Sequence, residues 1–146
     1  MIDKKWIGYE RPAAVLPIER GRLRFFAKAI GETDPVYRDV AAARDAGYAD
    51  LPAPPTFLFT AALDSGTMDR LLSDLGVPDH RILHGEQGFA YHRPVCAGDT
   101  VTVRSRITDI YDKKNGALEF IVQAASARNQ NDELVAELRS VIVVRN

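Results

Sequence analysis

Hydrophobic residues change their spacing partway along this chain, and that change restricts the fold more than any other feature. In residues 100–111, Val101, Val103, Ser105 and Ile107 alternate with Thr102, Arg104, Arg106 and Thr108. A period of two sends successive side chains to opposite faces of a β-strand, so one face is mostly apolar and the other solvated. Residues 118–126 alternate again through Phe120, Val122 and Ala124, and residues 134–144 are rich in β-branched side chains. Asn115-Gly116 between the first two segments is a hairpin signal, because a type I′ turn needs φ > 0 at both central positions. Gly98-Asp99 and residues 129–133 carry the neighbouring turns. Residues 82–91 add one more extended segment, and the four together read as an antiparallel meander.

Upstream the period is helical. In residues 19–30, Leu23, Phe26, Ala27 and Ile30 form one apolar stripe, with Gly31 placed to end the helix. Phe26 reads as core on its burial preference. Residues 56–63 are almost wholly apolar behind Pro55, which implies a buried helix; residues 67–75 form a second amphipathic one ended by Gly76 and Pro78. Residues 13–18 read as a short first strand. Helices followed by strands imply an α+β architecture. The order matches a hotdog fold, a curved antiparallel sheet wrapped around a buried apolar helix, with an overhanging loop segment. Such an open sheet leaves edges to cover, and pairing of two copies is expected.

At 146 residues and 46% hydrophobic, the chain suits a single domain, residues 1–146. A net charge of −1 offers no basic excess for nucleic acid. No apolar run reaches the roughly 18 residues of a membrane span, and the first residues hold no apolar core of a secretory leader. Cys96 stands alone, so neither an intrachain disulfide nor a cysteine metal cluster is expected, and a reducing cytoplasm is. It reads as a packing residue. No cofactor and no metal are expected.

Residues 31–60 follow neither period. They are broken by Pro35, Pro52, Pro54 and Pro55, yet carry Tyr37, Tyr48 and Phe57. An ordered loop of this length inside a domain is often functional. Gly31-Glu32-Thr33-Asp34-Pro35-Val36-Tyr37 opens it and Ala53-Pro54-Pro55-Thr56-Phe57 closes it. Leu83-His84-Gly85-Glu86-Gln87, Tyr91-His92-Arg93-Pro94-Val95 and Ala97-Gly98-Asp99-Thr100 follow. In this order and spacing the segments resemble the MaoC-like dehydratases, or (R)-specific enoyl-CoA hydratases. They are most similar to the N-terminal, FAS1-like dehydratase half-domain of that family, over residues 12–145.

The resemblance implies hydration of enoyl thioesters or dehydration of 3-hydroxyacyl thioesters, carried on CoA or an acyl carrier protein. The loop motif of catalytically complete relatives reads Gly-Asp-x-Asn-Pro-(Ile/Leu/Val)-His, and its Asp and His act on the two ends of one water. Such chemistry needs a base for the water and an acid for the α-carbon within hydrogen-bond reach. It also needs donors for the thioester oxygen, typically amides at the start of the buried helix. Carried over, Glu32 stands for the Asp, Asp34 for the Asn and Tyr37 for the His. Glutamate is one methylene longer, and a displacement of about 1 Å can cost about a hundredfold. An ordinary phenol, with a pKa of about 10, is a poor stand-in for imidazole. In the resembled half-domain the working Asp and His sit in a second hotdog, and the half-domain itself shapes the acyl tunnel. A homodimer, or a heterodimer with a second hotdog subunit, is therefore expected.

Glu32 and Tyr37 are the candidate catalytic pair, or anchors of the loop. Asp34, His84, Arg93 and the amides of Thr56 and Phe57 are the candidate substrate contacts; Pro55 has no amide hydrogen to offer. His84 faces the pocket or bonds to the loop, and Arg93 contacts a CoA phosphate or forms a surface ion pair. His80 carries no motif signal. Two other readings are a non-catalytic acyl-CoA-binding or stabilising subunit and a hotdog thioesterase. The latter would want an acid on the buried helix, where only Asp64 follows it.

Overall fold

The computed structural model describes residues 1–146. It contains strands β1 (Ala14–Pro17), β2 (Ile82–Tyr91), β3 (Thr100–Lys113), β4 (Leu118–Arg128) and β5 (Leu134–Arg145). Its helices are α1 (Arg20–Ala29), α2 (Val40–Asp45), α3 (Thr60–Asp64) and α4 (Thr67–Asp74). The strands form one antiparallel sheet in the order β1-β3-β4-β5-β2. The sheet curls around the helical segment after Pro55, which is the hotdog arrangement.

Three strands, not four, form the meander. β1 pairs with one edge of β3 through Ala14 opposite Val103, and β4 occupies the other edge. β2 therefore crosses to the far side and pairs with β5 from Ile82 to Tyr91. The hairpin at Asn115-Gly116 is also longer than a two-residue turn. Lys113 opposite Leu118 is its last pair, and Lys114, Asn115 and Gly116 all have positive φ, at 55°, 53° and 83°.

The apolar stretch 56–63 is not one continuous helix. The Phe57 amide closes a turn on the Pro54 carbonyl at 2.9 Å, and the Phe59 amide reaches the Thr56 carbonyl at 3.1 Å. Those tight bonds make a 3₁₀ turn over Phe57–Phe59 before α3 begins. Phe57, Leu58 and Ala61 are buried, but Leu63 is 52% exposed, so the segment is not buried all round. Segment 31–60 is likewise more ordered than a loop. It holds a 3₁₀ turn at Pro35–Tyr37 and then α2, whose Asp39 carboxylate accepts the Ala41 and Ala42 amides at 2.7 and 3.4 Å.

The core has two parts. Fifteen buried residues join β1, α1, α2 and residues 51–61 to one end of the sheet. Against it, the partly buried Phe26 meets Phe57 edge-on, ring centroids 5.3 Å apart, so Phe26 packs on the core side of α1 as its helical spacing implies. Eight others join Leu71 and Leu72 of α4 to Ile107, Ile110, Ile121, Ile142 and Val144 at the opposite end.

Candidate functional site

A cavity of about 340 Å³ opens where segment 31–60 meets the exit of β2. Tyr37 and Tyr48 of the overhang form one wall, and Pro54, Pro55 and Leu58 form a second. Tyr91, His92 and Arg93 form a third. Backbone bonds from Ala53 N–H to the Val95 carbonyl (2.7 Å) and from Ala97 N–H to the Leu51 carbonyl (2.8 Å) hold the last two walls together. The Tyr91 hydroxyl donates to the Pro55 carbonyl, which ties the end of β2 to the proline turn.

Local chain chemistry decides which loop residues face this space. The Asp34 carboxylate accepts the Val36 amide at 3.0 Å, and Pro35 starts the 3₁₀ turn that delivers Tyr37 to the cavity. Glu32 accepts the Asp34 amide at 2.9 Å. Both acids are therefore bonded to their own loop, and neither lines the cavity. Burial raises the pKa of the Tyr37 hydroxyl, helped by Tyr48 and by the carboxylates of Glu32 and Asp34. A phenol so shifted is a proton donor at neutral pH, not a base.

The amide pair anticipated for a thioester oxygen needs one correction. Phe57 N–H is already committed to Pro54, and the Phe57 side chain is buried in the core. The Thr56 and Leu58 amides have no backbone acceptor, and Leu58 lines the cavity. The spacing of the free donors thus follows the 3₁₀ turn.

The other candidates scatter. Arg93 lines the cavity, 3.5 Å from Glu133 in an exposed ion pair. His84 does not line it; its ring lies 5.1 Å from that of Phe59, and its Nε2 is 3.1 Å from the Glu86 carbonyl oxygen. His80 sits in a turn outside the cavity. Asp64 pairs with Arg22 at 2.6 Å, away from the cavity. Cys96 is buried, and burial pushes its thiol pKa up, as suits a packing residue.

Tyr48, Tyr91 and His92 complete the cavity; the sequence marks Tyr91 and His92 as part of a motif and Tyr48 as part of the loop, without assigning any of them a site role. The period-two pattern through Gln87, Phe89 and Tyr91 was the available signal, because it carries Tyr91 to the concave face. His92 Nε2 lies 2.9 Å from a Glu137 carboxylate oxygen, a contact between residues 45 apart that no local pattern announces. No helix is long and apolar enough to cross a membrane.

Residues 5–138 match the family described as FAS1-like, dehydratase domain region. A UPF0336 protein of Parafrankia sp. (strain EAN1pec) is 42% identical over 134 residues, covering 89% of this chain and 86% of that one. Among solved structures, the C-terminally truncated HadBC (3R-hydroxyacyl-ACP dehydratase) complex of Mycobacterium tuberculosis aligns with a TM-score of 0.77 and 28% identity. That alignment covers 94% of this chain and 96% of that one. A protein named MaoC-like dehydratase aligns with a TM-score of 0.85 and 27% identity, over 97% of this chain and 42% of that one.

Proposed function

The chain belongs to the FAS1-like dehydratase region family of MaoC-like hotdog proteins, and from that premise we propose that it is the acyl-binding subunit of a thioester hydratase or dehydratase. The acyl thioester, on CoA or an acyl carrier protein, lies in the cavity between the overhang and the proline turn. Its volume, about 340 Å³, is within the range of small-molecule sites. The thioester oxygen accepts from the free Thr56 and Leu58 amides, the Tyr37 phenol donates beside it, and Arg93 meets a phosphate of the carrier. A second hotdog subunit docks along the free edge of β2 and supplies the Asp and His that act on water. Residues 1–146 work as one such unit in the cytoplasm, in a heterodimer with that second subunit; a homodimer, which repeats Glu32 and Tyr37, belongs to the non-catalytic reading.

One observation carries the division of labour. Glu32, at the position of the expected base, is bonded to its own loop and lies outside the cavity, while Tyr37 is a protonated phenol. At the two positions of the family's acid–base pair the chain therefore presents a donor but no base. The competing reading, a subunit that binds acyl-CoA with no part in turnover, rests on the same missing base.

Loss of enoyl absorbance tests both. The chain alone is expected to bind acyl-CoA by calorimetry and to turn over trans-2-enoyl-CoA poorly, and addition of a catalytically complete MaoC-like partner is expected to raise the rate. Rapid turnover by the chain alone, abolished by Glu32→Gln, would overturn the subunit reading. Binding with no rate gain from any partner favours the non-catalytic one.

A further inference from the structure

Between the two core clusters, the concave face of the sheet turns polar. The register aligns Ile107, Gln123, Ser140 and Gln87 in one row across β3, β4, β5 and β2, with Ser105 one row away. Gln123, Ser140, Gln87 and Ser105 line a small space of about 30 Å³ together with Leu58, Phe59 and Ala62. Gln123 is 2% exposed, yet neither its Oε1 nor its Nε2 has a partner. Gln87 spends its Nε2 on the Gly88 carbonyl at 3.3 Å and leaves a buried, unpaired Oε1.

Arg11 lines the same space. Its Nε is buried without an acceptor, and its Nη1 faces only the Met68 sulfur at 3.9 Å. Burial lowers its pKa, but a guanidinium remains charged at neutral pH. Buried polar groups in folded proteins are nearly always hydrogen-bonded, because an unpaired one forfeits its bonds to water. Four unpaired atoms around one small cavity, donors and acceptors together, therefore specify an occupant that both donates and accepts. Leu58 lines this inner space and the outer cavity alike, so its residue borders both.

We propose that the inner space is the subsite for the far end of the acyl group, and that it selects acyl groups bearing one hydroxyl there over plain hydrocarbon. The proposal rests on the acyl-thioester reading of the outer cavity. An oxygen at this point accepts from Arg11 Nε–H and Gln123 Nε2–H, and a hydroxyl also donates to the Oε1 of Gln123 or Gln87. The space fits roughly one or two waters when no ligand is bound. An oxygen-bearing end replaces the bonds of the displaced water, whereas a methyl end displaces it and leaves the four atoms unpaired.

Calorimetric titration of the full chain with straight-chain acyl-CoAs of increasing length, and with their terminally hydroxylated counterparts, tests this. At the length that spans both cavities, the hydroxylated ligand is expected to bind about tenfold more tightly. Gln123→Leu is expected to abolish that preference and to tighten binding of plain acyl-CoA, because two of the atoms a methyl end leaves unpaired are gone. Gln87→Met serves as a second variant should the first misfold, with the preference reduced. Equal binding of both ligands at every length, or a preference unchanged by folded Gln123→Leu, would overturn the inference and leave the acyl-thioester reading standing. No binding of any acyl-CoA would overturn both.

Discussion

The fifteen residues of the larger core cluster come from β1, α1, α2, the proline turn and the sheet, whereas the eight of the smaller come mainly from α4 and the opposite strand ends. The larger one packs Leu51 and Leu58, and through them holds the walls of the candidate site. The smaller one closes the other end of the sheet under α4 and contributes no residue to that site. Both bury aliphatic side chains with similar completeness, so both stabilise the fold, but only one positions chemistry. Burial alone does not tell a structural residue from one that also shapes a pocket.

Truncation in each cluster separates these roles. Phe57→Ala is expected to cost about 3–5 kcal/mol in urea unfolding and to abolish acyl-CoA binding, because Phe57 is 1% exposed and anchors the proline turn. Ile121→Ala, in the smaller cluster, is expected to cost about 2–5 kcal/mol while the folded fraction keeps its affinity. Equal loss of binding in both variants would erase the distinction.

Gly85 sits at the bulge between His84 and Glu86 in β2. An added Cβ would lie 2.7 Å from Val143 Cγ2 and 3.0 Å from the Val141 carbonyl oxygen. Gly85→Ala is expected to destabilise by about 1–3 kcal/mol in the same assay and to leave affinity unchanged, since the bulge lies outside the outer cavity. Tyr91→Phe removes only the hydroxyl bonded to Pro55. A loss of about 0.5–1.5 kcal/mol is expected, with weaker acyl-CoA binding as the proline turn loosens.

The smallest effect belongs to Asp50, beside Leu51 on the larger cluster. Arg20 donates to both its oxygens, at 2.8 and 2.5 Å, and these bonds hold the Asp50 pKa well below the usual carboxylate range. A carboxyl depressed on folding adds stability that is fully present above its unfolded pKa and is lost as pH falls through the folded value. Melting temperatures of the native chain and Asp50→Asn are thus expected to differ by a constant amount near neutral pH. The gap should close only as pH drops below about 4. High salt should shrink it as well, because the Arg20 side chain is half exposed.

Much of this could be read from residue order. Alternation across 100–111 and 118–126, the stripe at Leu23 and Ala27, and the stop at Gly31, whose φ is +73°, are local consequences of side-chain periodicity and backbone sterics. The motifs around Pro35 and Pro54 also led to the correct family. Less legible was the path of residues 56–63, where hydrophobicity implied a continuous helix and two prolines produced a 3₁₀ turn instead. That turn moved the free donor from the Phe57 amide to that of Leu58.

Sequence by itself determined the long strands, the α1 and α4 stripes and the family, because each depends on neighbours within a few residues. Tertiary structure decided that β2 crosses to β5, that Glu32 and Asp34 bond to their own loop, and that Tyr48, Tyr91 and His92 join Tyr37 around one cavity. It also decided that Gln123 and Ser140, unremarkable along the chain, meet Gln87 in one row across the sheet. Strand register couples residues far apart in sequence, and no local pattern encodes which distant residue a side chain will face.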